Sequence, residues 1–118
     1  MLVLVVEEPV RQPVDVAEGV FVEVAENGLI AVEKLKSSSF DVILMDVQMP
    51  VMNGFEATKA IRNLDSEKTH TPIIAMTANV LKEEVDLCYQ ARMNDFIGKP
   101  FDTKELLNKI FNLINKTP

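Results

Sequence analysis

Three apolar runs in this chain are continuous rather than alternating: residues 2–6, 42–45 and 73–76. A strand wetted on one face alternates with a period of two, so an unbroken run of this length marks a strand buried on both faces. Residues 20–24 do alternate, with Val20, Val22 and Val24 on one side and Phe21 and Glu23 on the other, which suits a sheet edge. The short run 95–97 suits the opposite edge. Helical stretches separate the runs. Asn53 with Glu56 forms a capping pair for a helix from Gly54 to about Arg62, and Asp102 with Glu105 repeats it before Leu106, Leu107, Ile110, Phe111 and Ile114. Leu29, Val32 and Leu35 make one stripe over 28–36, and Leu81, Val85 and Cys88 make another over 80–91. Strand and helix in alternation predict a doubly wound α/β domain, and 118 residues suffice for one core and one domain, 1–118.

In such folds ligands sit beyond the carboxyl ends of the strands. Here those ends carry Glu7 and Glu8, Asp46, Thr77 and Lys99. Taken singly, Asp46 reads as a cap or turn residue, Thr77 as a cap for the next helix, and the two glutamates as solvated residues after a strand. Gathered at one rim, a carboxylate, a hydroxyl and an ammonium can accept and hold a phosphoryl group.

Composition removes other classes. Apolar residues are 47% and charged residues 25% of the chain, as in a folded domain, and the net charge of −6 argues against nucleic acid or an anionic membrane surface as partner. The first run is too short for a signal-peptide core or a membrane span. Cys88 is the only cysteine and reads as a small core residue, which with the absence of a leader points to the cytoplasm. His70 is given no role. There is no glycine-rich phosphate loop, and no Ser or Cys nucleophile beside a credible His base, so an independent hydrolase or nucleotide-binding enzyme is not supported.

The stretch Asp41-Val-Ile-Leu-Met-Asp46-Val-Gln-Met-Pro50-Val-Met-Asn-Gly54, with Ile74-Ala-Met-Thr-Ala78 and Gly98-Lys-Pro100, resembles the receiver domain of two-component response regulators. The wording is most similar to receivers of hybrid sensor histidine kinases, and the likeness runs from Val22 to about Ile114. The resemblance implies a flavodoxin-like five-stranded parallel sheet of order 2-1-3-4-5. It implies a signalling switch rather than an enzyme, in which Asp46 takes a phosphoryl group from a phosphohistidine on a histidine kinase or histidine phosphotransfer protein. It further implies Mg²⁺ as cofactor, held by Glu7, Glu8, Asp46 and the main-chain carbonyl of Gln48. Thr77 and Lys99 would contact phosphate oxygens, Phe96 would be the aromatic that reorients, and the Lys99–Pro100 bond would be cis.

Three departures accompany the resemblance. The acidic corner reads Glu7-Glu8-Pro9, one residue short and with a longer second acid than the family's usual aspartate. Only eleven residues separate Glu8 from Val20, with Pro13 among them, so the first crossover holds at best a short helix over about 13–18. A sheet face covered that poorly is expected to be completed by self-association, as a homodimer or by segment exchange. Arg92 stands where similar sequences carry glycine after a helix. The altered corner also supports a second reading, a receiver-like interaction module that no longer phosphorylates.

Overall fold

The computed structural model describes residues 1–7, 19–49 and 51–115. Glu8, Pro9 and the short helix expected near Pro13 lie outside the described residues. Within them, five strands form one parallel sheet: β1 (Leu2–Val6), β2 (Phe21–Ala25), β3 (Val42–Asp46), β4 (Ile73–Thr77) and β5 (Asp95–Gly98). Their spatial order is β2-β1-β3-β4-β5, with every pairing parallel, as expected. Four α-helices connect or follow them: α1 (Gly28–Ser37), α2 (Gly54–Arg62), α3 (Lys82–Gln90) and α4 (Thr103–Ile114).

The continuous runs became the three central strands because each of their residues meets a core on one face or the other. Leu4, Val6, Ile43, Met45, Ile73 and Ala75 point to the side covered by α1, α2 and α3, where they pack with Ala31, Leu35, Ile61 and Cys88. Val3, Val5, Val42, Leu44, Ile74 and Met76 point to the other side, against Leu106 and Ile110 of α4. In β2, Val22 lies against the α4-side core while Phe21 is exposed, the alternation of an edge strand.

Three stripes needed correction. On α1 the buried line is Gly28, Ala31, Val32 and Leu35, and Leu29 is 47% exposed. On α3 only Cys88 is fully buried and Leu81 faces outward. On α4 Leu106 and Ile110 are buried with Leu113 beside them, while Phe111 and Ile114 are exposed. Residues three apart drift by about 60° around a helix, so a three-point stripe leaves its centre undetermined by about one position.

The caps are more local and were easier to read. At α2 Asn53 Oδ1 accepts from Glu56 N at 2.9 Å and Glu56 Oε1 accepts from Asn53 N at 3.1 Å, a closed capping box. At α4 Asp102 Oδ1 instead accepts from Lys104 N at 2.9 Å, so the expected box with Glu105 is not formed among the described residues. Asn27, which the sequence reading passed over, caps α1 through Ile30 N at 2.9 Å.

Helix α3 ends in a Schellman turn: Met93 N donates to Cys88 O at 3.0 Å and Arg92 N to Tyr89 O at 2.9 Å. The turn puts Arg92 in the left-handed region at φ 72°. A Cβ there is unfavourable by about 1 kcal/mol, which glycine avoids. Arg92→Gly should therefore stabilise the fold by up to about 1 kcal/mol, read as a raised urea midpoint with unchanged slope.

Candidate functional site

Register brings the polar strand ends together. Val6 of β1 pairs with Met45, which sets Glu7 level with Asp46, the last residue of β3. Asp46 pairs with Met76, and the following residue, Thr77, pairs with Gly98, directly before Lys99. Glu7, Asp46, Thr77 and Lys99 thus share the carboxyl edge of the sheet. Glu7 continues the ladder through its own N–H, which donates to Ala25 O at 3.1 Å. Glu8 falls outside the described residues.

Asp46 is 7% exposed, and both its carboxylate oxygens are engaged. Oδ2 accepts from Lys99 Nζ at 3.0 Å, and Oδ1 accepts from the backbone N–H of Gln48 at 3.1 Å. A desolvated carboxylate needs such partners, and the ammonium supplies the charge-assisted one. Lys99 reaches Asp46 across 53 positions of sequence because β4 and β5 stack beside β3 in register. The Lys99–Pro100 peptide is cis.

Thr77 stands at the same edge with its hydroxyl turned into its own loop. Oγ1 donates to Asn79 O at 3.0 Å and accepts from Asn79 N at 3.0 Å, with Glu84 Oε1 3.5 Å away. It does not cap α3, whose first turn follows Leu81 without a side-chain cap. The structure therefore joins Asp46 with Lys99 directly and places Thr77 at the same edge, its hydroxyl hydrogen-bonded within its own loop.

Beyond Asp46 the chain makes a closed loop back to α2. Gly54 N donates to Val47 O at 3.2 Å, and Val51 adopts φ 69°, unusual for a β-branched residue. A cleft opens over this loop, lined by Val47, Gln48, Met49, Asn53, Phe55 and Glu84. Glu84 and the tight approach of Gly54 to Asp46 escaped the sequence reading. A Cβ on Gly54 would run into the Asp46 carbonyl oxygen and lie 2.8 Å from Val47 Cα.

Phe96 lies on β5, edge-on to Tyr89 at 6.3 Å between ring centroids. Lys109 Nζ sits 5.5 Å from the Phe96 centroid and 3.4 Å from Asp95 Oδ1. The Cys88 thiol is buried, and that burial first, then the nearby Glu84 charge, pushes its pKa up to about 11. It is an inert core residue at neutral pH. No helix among the described residues is long and apolar enough to cross a membrane.

Comparison with known proteins places this geometry. Residues 5–111 match the family described as response regulator receiver domain. Hybrid signal transduction histidine kinase B of Dictyostelium discoideum is 42% identical over 99 residues, which cover 75% of this chain and 5% of that protein. Sensor histidine kinase GacS of Pseudomonas protegens is 38% identical over 90 residues, 75% of this chain and 10% of the relative. The chain thus spans a small fraction of the curated relatives it matches. Among solved structures, the receiver domain of a sensor histidine kinase from Pseudomonas aeruginosa PAO1, crystallised with magnesium in its active site cleft, superposes with a TM-score of 0.85 at 38% identity, covering 98% of both chains. Chemotaxis protein CheY4 of Vibrio cholerae superposes at 0.78 with 31% identity, covering 94% of this chain and 96% of that one.

Proposed function

From membership in the response regulator receiver family, to which this chain belongs, we propose that Asp46 is its phosphoryl acceptor and that residues 1–118 act as one cytoplasmic signalling switch. The observation that carries this reading is the Asp46 carboxylate, nearly buried at the end of the central strand and 3.0 Å from the Lys99 ammonium. Phosphoryl transfer depends on positioning and on neutralising charge at the equatorial oxygens. In the reaction an Asp46 oxygen forms a bond to phosphorus while the P–N bond of the donor phosphohistidine breaks, its electron pair staying on the imidazole. Lys99 then moves its hydrogen bond from the carboxylate to a phosphoryl oxygen. Thr77 exchanges the Asn79 carbonyl for a second one.

The donor set fits a hard divalent cation: Asp46 and Glu7 offer carboxylate oxygens at one rim, and no soft ligand stands among them. Glu7, Glu8, Asp46 and the main-chain carbonyl of Gln48 would hold Mg²⁺, which when bound neutralises charge on the transferring group. Phe96 and Pro100 belong to the responsive edge, where Phe96 can repack against Tyr89. The phosphodonor is a histidine kinase or histidine phosphotransfer protein, the chain itself is not an enzyme, and it self-associates, as a homodimer or by segment exchange, a reading supported by the short eleven-residue spacing between Glu8 and Val20.

Incubation with Mg²⁺ and acetyl phosphate should add one phosphoryl group by intact mass, and Asp46→Asn should add none. A wild-type chain that gains no mass, with partner binding indifferent to Asp46→Asn, overturns the proposal in favour of the silent interaction module.

A further inference from the structure

The end of the sheet opposite Asp46 holds a second polar cavity, lined by Arg62, Thr69, His70, Arg92 and Asn94. Arg62 closes α2 and threads its guanidinium between the segments leading into β4 and β5. Nε donates to Arg92 O at 3.0 Å, Nη1 to Thr69 O at 2.8 Å and Thr71 O at 2.7 Å, and Nη2 to Asn94 Oδ1 at 2.8 Å. All four acceptors are neutral. They use four of the five guanidinium N–H groups and cancel none of its charge.

A second guanidinium adds to the first. Arg92 lies close enough that, after burial, its charge is a cause of the lowered Arg62 pKa. Neither arginine nor His70 forms an ion pair among the described residues. In a chain of net charge −6, a concave site lined by two arginines and a histidine, with no carboxylate among the described residues of its lining, is the opposite of what composition alone would place there.

We propose that this cavity binds a phosphate group, free or as a monoester, between Arg62 and Arg92 with His70 at the rim. Two uncompensated guanidinium charges match a dianion: Arg62 contributes its charge and its one remaining N–H, and the planar fork of Arg92 suits phosphate oxygens better than a point charge does. The site is separate from the Asp46 rim and independent of any chemistry there.

The test is a titration of the full chain with inorganic phosphate, without Mg²⁺ and at ionic strength held constant with chloride, followed by amide chemical shifts. Saturable shifts at residues 69–71 and 92–94 are expected, and a phosphate monoester should compete for them. Arg92→Gln should weaken binding about tenfold or more, and His70→Gln should weaken it less. Arg62 is unsuitable as the variant because its four hydrogen bonds staple the fold, whereas Arg92 is exposed and joins that staple only through its backbone carbonyl. Shifts that do not saturate, that gather only around residues 46–48 and 98–99, or that persist unchanged in Arg92→Gln would overturn the assignment.

Discussion

Lys99→Ala is expected to slow phosphoryl incorporation from acetyl phosphate by on the order of 100-fold or more while tightening Mg²⁺ binding. The two effects follow from one contact. Lys99 Nζ is 3.0 Å from Asp46 Oδ2, and the pair is only partly open to water, with 24% and 10% side-chain exposure respectively. Removing a preorganised charge-stabilising donor costs a transferring group roughly 10²–10³ in rate. The same ammonium repels a divalent cation placed beside the carboxylates, so its loss makes the rim more attractive to Mg²⁺. Stability should fall as well, since Asp46 is left mostly desolvated with only the Gln48 N–H. A fully buried pair broken in this way costs about 3–5 kcal/mol, and the partial exposure here reduces that to about 1–3. Lys99→Arg keeps the charge but changes a point donor into a planar fork, so it should rescue stability more than rate. Stopped transfer kinetics, a Mg²⁺ titration and urea melts of the three proteins check this. An alanine variant with unchanged transfer rate would remove Lys99 from the reaction.

What could be read in advance was decided by how many signals pointed one way. The central strands were legible because residues 42–45 and 73–76 have no polar member to compromise, and burial on both faces is the only arrangement that covers them. The capping box at Asn53 and Glu56 was legible because both partners lie within four residues. The meeting of Asp46 with Lys99 was legible only through topology, since nothing local links two residues 53 positions apart. The outward turns of Leu29, Leu81 and Phe111 were not, because a short stripe tolerates a rotation of one position and tertiary packing chooses. The left-handed Val51 was hidden for the opposite reason: local preference argues against it, and only the closure of the loop onto Val47 imposes it. The direction of the Thr77 hydroxyl, taken by Asn79, is a rotamer choice no residue type dictates.

At Gly54, helix propensity and local space act with opposite signs on an added Cβ. It is the first residue of α2, where helix propensity favours alanine over glycine by up to about 1 kcal/mol. Space says otherwise: an added Cβ would overlap the Asp46 carbonyl oxygen and crowd Val47 Cα at 2.8 Å. Both are backbone atoms of the strand end and loop that position the Asp46 carboxylate, so relief requires moving α2 away from β3 as a unit. Gly54→Ala should therefore destabilise by on the order of 3 kcal/mol, a lowering of the melting temperature by roughly 10 °C, in a fold whose total is about 5–15 kcal/mol. Gly98→Ala is the control. Its Cβ would meet Val80 Cγ1 at 2.8 Å, but Val80 is an exposed side chain free to turn away, and the cost should stay below about 1 kcal/mol. The same shift of α2 would displace the loop that carries the Gln48 N–H, so phosphoryl incorporation should drop in Gly54→Ala even at temperatures where the protein remains folded. Equal melting temperatures for the two alanine variants would show that the α2–β3 approach is looser than the Gly54 geometry requires.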